Sequence, residues 1–173
     1  MRRHVGWGEG ILFLGVITLI ATAGGPRKAD RAYYEDMRRP RWAPPGWAFG
    51  VAWPLLNLLQ LWGDLDLINQ PPSPRRTRLL KLRALNWVFF CLHSPLFFRL
   101  RSPAGGLAVA VAQMTTAYDT MAVAGQRYWR QAISVAPLAA WTTYATALSE
   151  AVRVRNPEKE QLLPRIRRLR QGG

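Results

Sequence analysis

Cysteine is nearly absent from this chain of 173 residues. Cys91 is the only one, so no internal disulfide and no thiolate metal cluster can form. It lies in an apolar run, where a lone cysteine acts as a small buried hydrophobe. Histidine is almost as scarce. His4 and His93 are too few for a histidine metal site within one chain, so no metal is expected. No nucleophile triad, phosphate-binding loop or fixed-period repeat stands out. Acidic residues number 10 against 24 Lys and Arg, for a formal net charge of +14.

That excess first points to nucleic acid or to an anionic membrane surface. Mean hydropathy is −0.08, which taken alone points away from a membrane. The average conceals a segregation of charge. Five stretches carry no charged residue at all: 10–26, 42–63, 84–98, 102–118 and 131–149, of 17, 22, 15, 17 and 19 residues. A helix crosses a 30 Å hydrocarbon core in roughly 20 residues. Two runs reach that length nearly or fully, and the others need snorkelling arginines or a buried acid at their ends. A basic soluble bundle would carry charge along one helical face, a pattern these runs lack. The expectation is an all-α fold, an integral membrane bundle of five transmembrane helices, with membrane lipids and not nucleic acid as surroundings. The first run follows Met1-Arg2-Arg3 like a signal peptide, but Glu9 interrupts it and four more runs follow, so it reads as a retained helix.

Between the runs, 27–41 forms a polar first loop. A second loop is expected over 64–83, where the prolines of QPPSPRRTR forbid a continuous helix. Loop three centres on RLRSP and loop four on GQRYWR. Residues 1–156 form the five-helix domain, and 157–173 a basic tail, exposed and partly disordered. Loop one, loop three and the tail side carry 15 Lys and Arg, against 9 on the other side. The positive-inside rule puts the tail in the cytoplasm if the protein lies in an inner membrane. Asp119 reads as an interface marker near Arg127.

The stretch PRWAPPGWAFGVAW, 40–53, crowds three tryptophans and three prolines together. Pro40, Pro44 and Pro45 suit a rigid lead-in to a helix, because proline tolerates the first turn. Trp42 and Trp47 fall at the expected interface, where indoles concentrate. Trp53 lies two turns deeper, and its N–H needs an acceptor there. Trp53, Asn57 and Gln60 share one helical face, and Pro54 breaks the ladder at that level. Such a stripe suits either a cavity between helices or a contact glued by side-chain hydrogen bonds.

YYEDMRRPRWAPPGWAFGVAW resembles the signature of the TspO/MBR family, the tryptophan-rich sensory and translocator-protein-like proteins. Tyr33, Tyr34, Pro40, Trp42, Pro44, Pro45, Trp47 and Trp53 carry the likeness. HSPLFF at 93–98, with Pro95, and APLAAWTTYATALS at 136–149, with Pro137, resemble its motifs in helices three and five. This chain departs from the pattern at Val51, Asn57, Phe90, His93, Ala124, Ala136, Leu138 and Ser149. The resemblance implies a pocket among the helices for porphyrins and other flat hydrophobic molecules. Trp53 and Trp141 are its expected indoles, with Phe49, Gly50 and Ala52 at the mouth. Trp141, Tyr144 and Leu148 share a face of helix five. Basic loop-one residues could meet the propionates of a tetrapyrrole.

The first reading of function is therefore a membrane protein that binds a tetrapyrrole in a sensory or regulatory role. The alternatives are a light-dependent porphyrin-degrading enzyme, with Trp53 and Trp141 as candidate catalytic residues, and a transport or assembly factor. No cofactor is required, and porphyrin or haem enters as ligand. His93 reads as a packing residue, not a haem ligand. Small residues in GGLAVAVA and APLAA allow close contacts within the chain or in a homodimer.

Overall fold

The computed structural model describes residues 4–23, 28–163 and 166, with only the backbone of 22–23 and 28–31. The described residues form six α-helices and no strand. In chain order these are α1 (Trp7–Ala23), α2 (Lys28–Glu35), α3 (Gly46–Asn69), α4 (Pro74–Ser94), α5 (Pro103–Ala124) and α6 (Trp129–Arg155). A π-helical turn, Pro95–Arg99, follows α4, and a 3-10 turn, Pro157–Lys159, follows α6.

The local sequence explains the helix starts. The Ser73 hydroxyl accepts from Arg76 N–H at 3.1 Å, and Pro74 takes the first position of α4. The Ser102 hydroxyl accepts from Gly105 N–H at 2.9 Å ahead of Pro103 in α5. Helix α5 stops at Gly125, whose φ of 51° is a conformation that favours glycine. Pro54 and Pro137 sit inside α3 and α6.

Five long helices each overlap one of the five uncharged runs, and α2 is a short helix within loop one. The second connection is much shorter than the charge pattern predicts. Helix α3 continues through Asp64 and Asp66, and α4 begins at Pro74, which leaves 70–73 between them. Charge marked the wrong boundary because Asp64 and Arg83 are buried against each other. The start of the tail also differs from the exposed segment expected. Residues 156–163 dock on loop one and on the start of α5, while 164–165 and 167–173 lie outside the described residues.

Helix α5 packs on α6 and α4, α3 on α6, and α1 on α4 and α3. Three apolar clusters stack along the bundle. Tyr33, Met37, Phe97, Leu148 and Val152 close the loop-one end. Leu56, Ala117, Val135, Leu138 and Ala139 fill the middle. Leu67, Leu79, Ala124 and Tyr128 close the other end.

Among the described residues, no helix is long and apolar enough to cross a membrane, unlike the five spanning helices expected. The physical reason differs from helix to helix. Helix α1 is 17 residues long. Helices α3 and α5 are longer, but Asn57, Gln60, Asp64, Gln113 and Thr116 lower their mean hydropathy. Those polar side chains are all buried. Large apolar side chains point outward instead, among them Ile11, Leu12, Leu19, Leu55, Val88 and Ile133.

Candidate functional site

Aromatic rings gather at the loop-one end of the bundle. Trp53 of α3 and Trp141 of α6 meet edge to face, with centroids 6.4 Å apart. Phe49, one turn before Trp53, sets its ring 5.7 Å from Trp141. Tyr144, one turn after Trp141, lies 5.8 Å from it. Phe90 of α4 closes on Trp53 at 5.1 Å, and Trp87 continues the series 6.0 Å beyond Phe90.

Loop one covers this group. Tyr34 of α2 sets its ring 6.2 Å from Phe49. Trp42 lies edge-on to Tyr144 at 5.6 Å, and the Tyr144 hydroxyl donates to the Trp42 carbonyl at 2.9 Å. The Arg39 guanidinium stands 5.0 Å above the Tyr34 ring. Burial raises the Tyr34 hydroxyl above its ordinary pKa, and Arg39 opposes that shift. Met37, Arg39, Pro40, Ala43, Pro44 and Pro45 line a depression of about 460 Å³ beside this cover.

Among the described residues, the buried Trp141 indole N–H has no acceptor within reach. Leaving a buried donor unmatched costs on the order of 1–3 kcal/mol.

The predicted site residues divide. Phe49, Trp53, Trp141 and Tyr144 converge, and Ala52 packs beside Trp53. Leu148 belongs to the neighbouring core cluster, on which Tyr144 and Phe49 also pack. Gly50 is exposed, and a Cβ built there meets nothing within 4 Å. Asn57 turns to a polar seam and accepts from Gln60 Nε2–H at 3.2 Å. Trp42, expected only at the interface, also touches the site, whereas Trp47 remains 71 % exposed. Pro40 is buried, Pro95 opens the π-helical turn and Pro137 is exposed inside α6. His93 stacks on Phe97 at 5.9 Å. Asp119 is exposed.

The sequence reading placed Gln60 on the same stripe as Asn57 and missed the polar seam beyond Gln60. Arg83 Nε–H donates to Asp64 Oδ1 at 2.6 Å, and Arg83 Nη2–H donates to Gln60 Oε1 at 2.7 Å. Trp87 Nε1–H donates to Asp64 Oδ2 at 2.8 Å, and Gln131 Nε2–H donates to Oδ1 at 3.2 Å. The signal was present, because Asn57, Gln60 and Asp64 continue one helical stripe. On α4, Arg83 and Trp87 form its complement, while Asn86 turns to Gln113 and Thr116 of α5. Phe90 and Tyr34 were likewise not expected as walls of the aromatic site. No group of three or more potential metal ligands occurs among the described residues.

A helical bundle with an apolar exterior, a buried polar seam and a tryptophan-lined end defines a tryptophan-rich, all-α protein. The chain belongs to the TspO/MBR family, whose model matches residues 10–155. It is similar to "Protein CrtK" of Rhodobacter capsulatus, with 27 % identity over 146 residues, 82 % of this chain and 89 % of that protein. It is also similar to the "Tryptophan-rich sensory protein" of Cereibacter sphaeroides, with 28 % identity over 152 residues, 87 % of this chain and 94 % of the relative. The family is one of membrane proteins.

Proposed function

We propose that this protein is a five-span integral membrane receptor whose aromatic site binds a tetrapyrrole or a similar flat hydrophobic ligand, in a sensory or regulatory role. Membership of the family supports the membrane setting, and the name of the Cereibacter sphaeroides relative supports the sensory role. The distribution of side chains supports both span and setting. Hydropathy averaged along one helix counts both of its faces, whereas lipid meets only the outer one. Helices α3, α5 and α6 have 24, 22 and 27 residues, lengths of about 33–40 Å at 1.5 Å per residue. Asn57, Gln60, Asp64, Gln113, Thr116, Gln131 and Thr142 of these helices turn inward, as intramembrane polar groups do, whereas Asp119 stays exposed.

The observation that carries the ligand reading is the buried, unmatched Trp141 N–H amid Phe49, Trp53 and Tyr144. A tetrapyrrole supplies broad π faces for these rings and acceptor atoms for the indole. Its carboxylates would reach the exposed loop-one arginines Arg38, Arg39 and Arg41. Tail placement in the cytoplasm remains part of the proposal, through the basic bias noted above.

The test is a titration of purified protein in detergent with a dicarboxylic porphyrin, followed by tryptophan fluorescence in the dark. Saturable quenching is expected, weakened about fivefold by Trp141→Phe, which removes the donor and part of the stacking area. Quenching that never saturates, or is the same in the variant, defeats the ligand reading. Alkaline washing of membranes tests the setting separately, because release of the chain without detergent contradicts the five-span reading.

A further inference from the structure

The segment after α6 makes a second set of contacts that the aromatic site does not explain. Asn156 is fully buried. Its Oδ1 accepts from Arg38 N–H at 2.9 Å, and its Nδ2–H donates to the Arg38 carbonyl at 3.1 Å and to the Val152 carbonyl at 2.7 Å. One amide thus pairs with both backbone groups of a loop-one residue, as a strand neighbour would, while tied to its own helix. Beyond it, Lys159 pairs with Asp36, Arg38 with Glu158 at 3.8 Å, and the Tyr33 hydroxyl donates to the Lys159 carbonyl at 3.4 Å.

The far end of the strap is anchored independently. Glu160 Oε2 accepts from the Ser102 hydroxyl and from Ala104 N–H, each at 2.9 Å, at the positive end of α5. Gln161 N–H donates to the Arg101 carbonyl at 3.1 Å. Residues 156–160 therefore bridge a fixed point on the bundle to residues 33–38 of loop one. That loop carries Tyr34 and Trp42, the two rings that cover Phe49 and Tyr144.

We propose that residues 156–160 are a latch on loop one and that Asn156 is its positioning residue, so that release of the strap sets the rate at which ligand reaches the aromatic rings. The kinetic half of this inference rests on the aromatic site's being a ligand site, and the latch itself does not. Of the groups that grip the strap only Arg38 is also placed to meet the ligand's carboxylates, and the variants used below leave the Arg38 side chain in place, so loosening the strap changes access without removing a ligand contact.

Two measurements on the full chain in detergent test this. The first is hydrogen exchange without ligand in wild type, Asn156→Ala and Asn156→Asp. The alanine variant should exchange the peptide covering 36–45 about tenfold faster, which corresponds to about 1.4 kcal/mol of lost hydrogen bonding. Asn156→Asp keeps an acceptor for Arg38 N–H and should fall between. Exchange in α3 to α6 should not change. Equal exchange at 36–45 in all three proteins overturns the latch. Lys159→Met serves where Asn156→Ala fails to fold, since it breaks the Asp36 pair outside α6, and it should raise exchange in the same peptide. The second measurement is stopped-flow binding of the dicarboxylic porphyrin. Association and dissociation should both quicken about tenfold with Kd changed less than about threefold. A faster dissociation with unaltered association marks a merely structural residue and overturns the gating. If wild type binds no porphyrin, the ligand reading and the gating of its access fail, and exchange alone decides whether the latch exists.

Discussion

Asp64 and Arg83 meet across α3 and α4 with 2.6 Å between Oδ1 and Nε, and both side chains are buried. The Asp64 carboxylate accepts four hydrogen bonds, two from Arg83 and one each from Trp87 and Gln131. It thereby ties α3 to α4 and α6. Removing one partner of such a pair leaves a buried charge without compensation, at a cost of about 3–5 kcal/mol. Arg83→Met is expected to lose that much in a denaturant titration in detergent. Asp64→Asn combined with Arg83→Met should recover a large part, because the stranded charge is gone. A double variant no more stable than Arg83→Met alone would show that packing, not charge, sets the cost.

A prediction of opposite sense concerns Gly63, in the turn before Asp64. A Cβ there would stand 2.0 Å from the Ser134 hydroxyl oxygen and 2.7 Å from Ser134 Cβ. Helices α3 and α6 approach this closely only because Gly63 has no side chain. Gly63→Ala should destabilise by about 1–3 kcal/mol, the usual cost of overpacking. Ser134→Gly in the same chain should restore most of the loss. A thermal melt of the three variants in detergent decides, and an unchanged Gly63→Ala midpoint contradicts the close approach.

Two tyrosines outside the five long helices give a titration prediction. Burial, aided by Glu160 and opposed by Arg101, pushes Tyr33 up to about 12. The Ser73 hydroxyl holds Tyr128 below the ordinary tyrosine value, against the effect of burial. In an alkaline difference spectrum, Tyr128 should ionise first and Tyr33 last, identified by Tyr128→Phe and Tyr33→Phe. The sign for stability follows from the raised folded value. Tyr33 contributes fully below pH 10, and the contribution is lost as pH rises through about 12. The acid limb has the opposite sign. Lys159 holds Asp36 below its ordinary 3.8, so its contribution is present above that pH and lost as pH falls through the lower folded value. Spectra in which Tyr33→Phe removes an early step contradict this order.

The uncharged runs made the five long helices legible, because charge is rare on both their packed faces and their outward apolar faces. The same rule misplaced the second connection. Asp64 and Arg83 look like loop residues until each is seen to cancel the other. Pairing between distant segments cannot be read from a run of uncharged residues. Trp53, Trp141 and Phe49 were legible as neighbours through the resemblance, and Tyr144 through helical spacing from Trp141. Phe90 was legible only as a departure from a motif, yet its ring lies closest to Trp53. The strap was illegible for a different reason. Asn156 and Glu160 sit in a polar, proline-containing stretch whose composition matches a loose tail. Their partners at Arg38 and Ser102 are far away along the chain.

Trp42 and Trp53 differ in burial and in what holds them, and that difference can be measured. Trp53 is half-buried between Phe90 and Trp141, where its ring is part of the wall. Trp42 is 49 % exposed, and its firmest tie is a backbone carbonyl that accepts from Tyr144, which a side-chain change leaves in place. Trp53→Phe keeps an aromatic face but loses stacking area on two neighbours. It should weaken porphyrin binding about fivefold, from about 1 kcal/mol of aromatic contact. Trp42→Phe keeps the edge contact with Tyr144 and should change affinity by less than about twofold. Trp53→Phe with Trp141→Phe should bind more weakly than either alone, and by more or less than the product of the two effects, because the rings touch. The measurement is the porphyrin titration of each variant after far-ultraviolet circular dichroism shows helicity retained. Equal losses at Trp42 and Trp53 would place the ligand under loop one rather than between α3 and α6. Unchanged affinity in the Trp53, Trp141 double variant would remove these indoles from the site altogether.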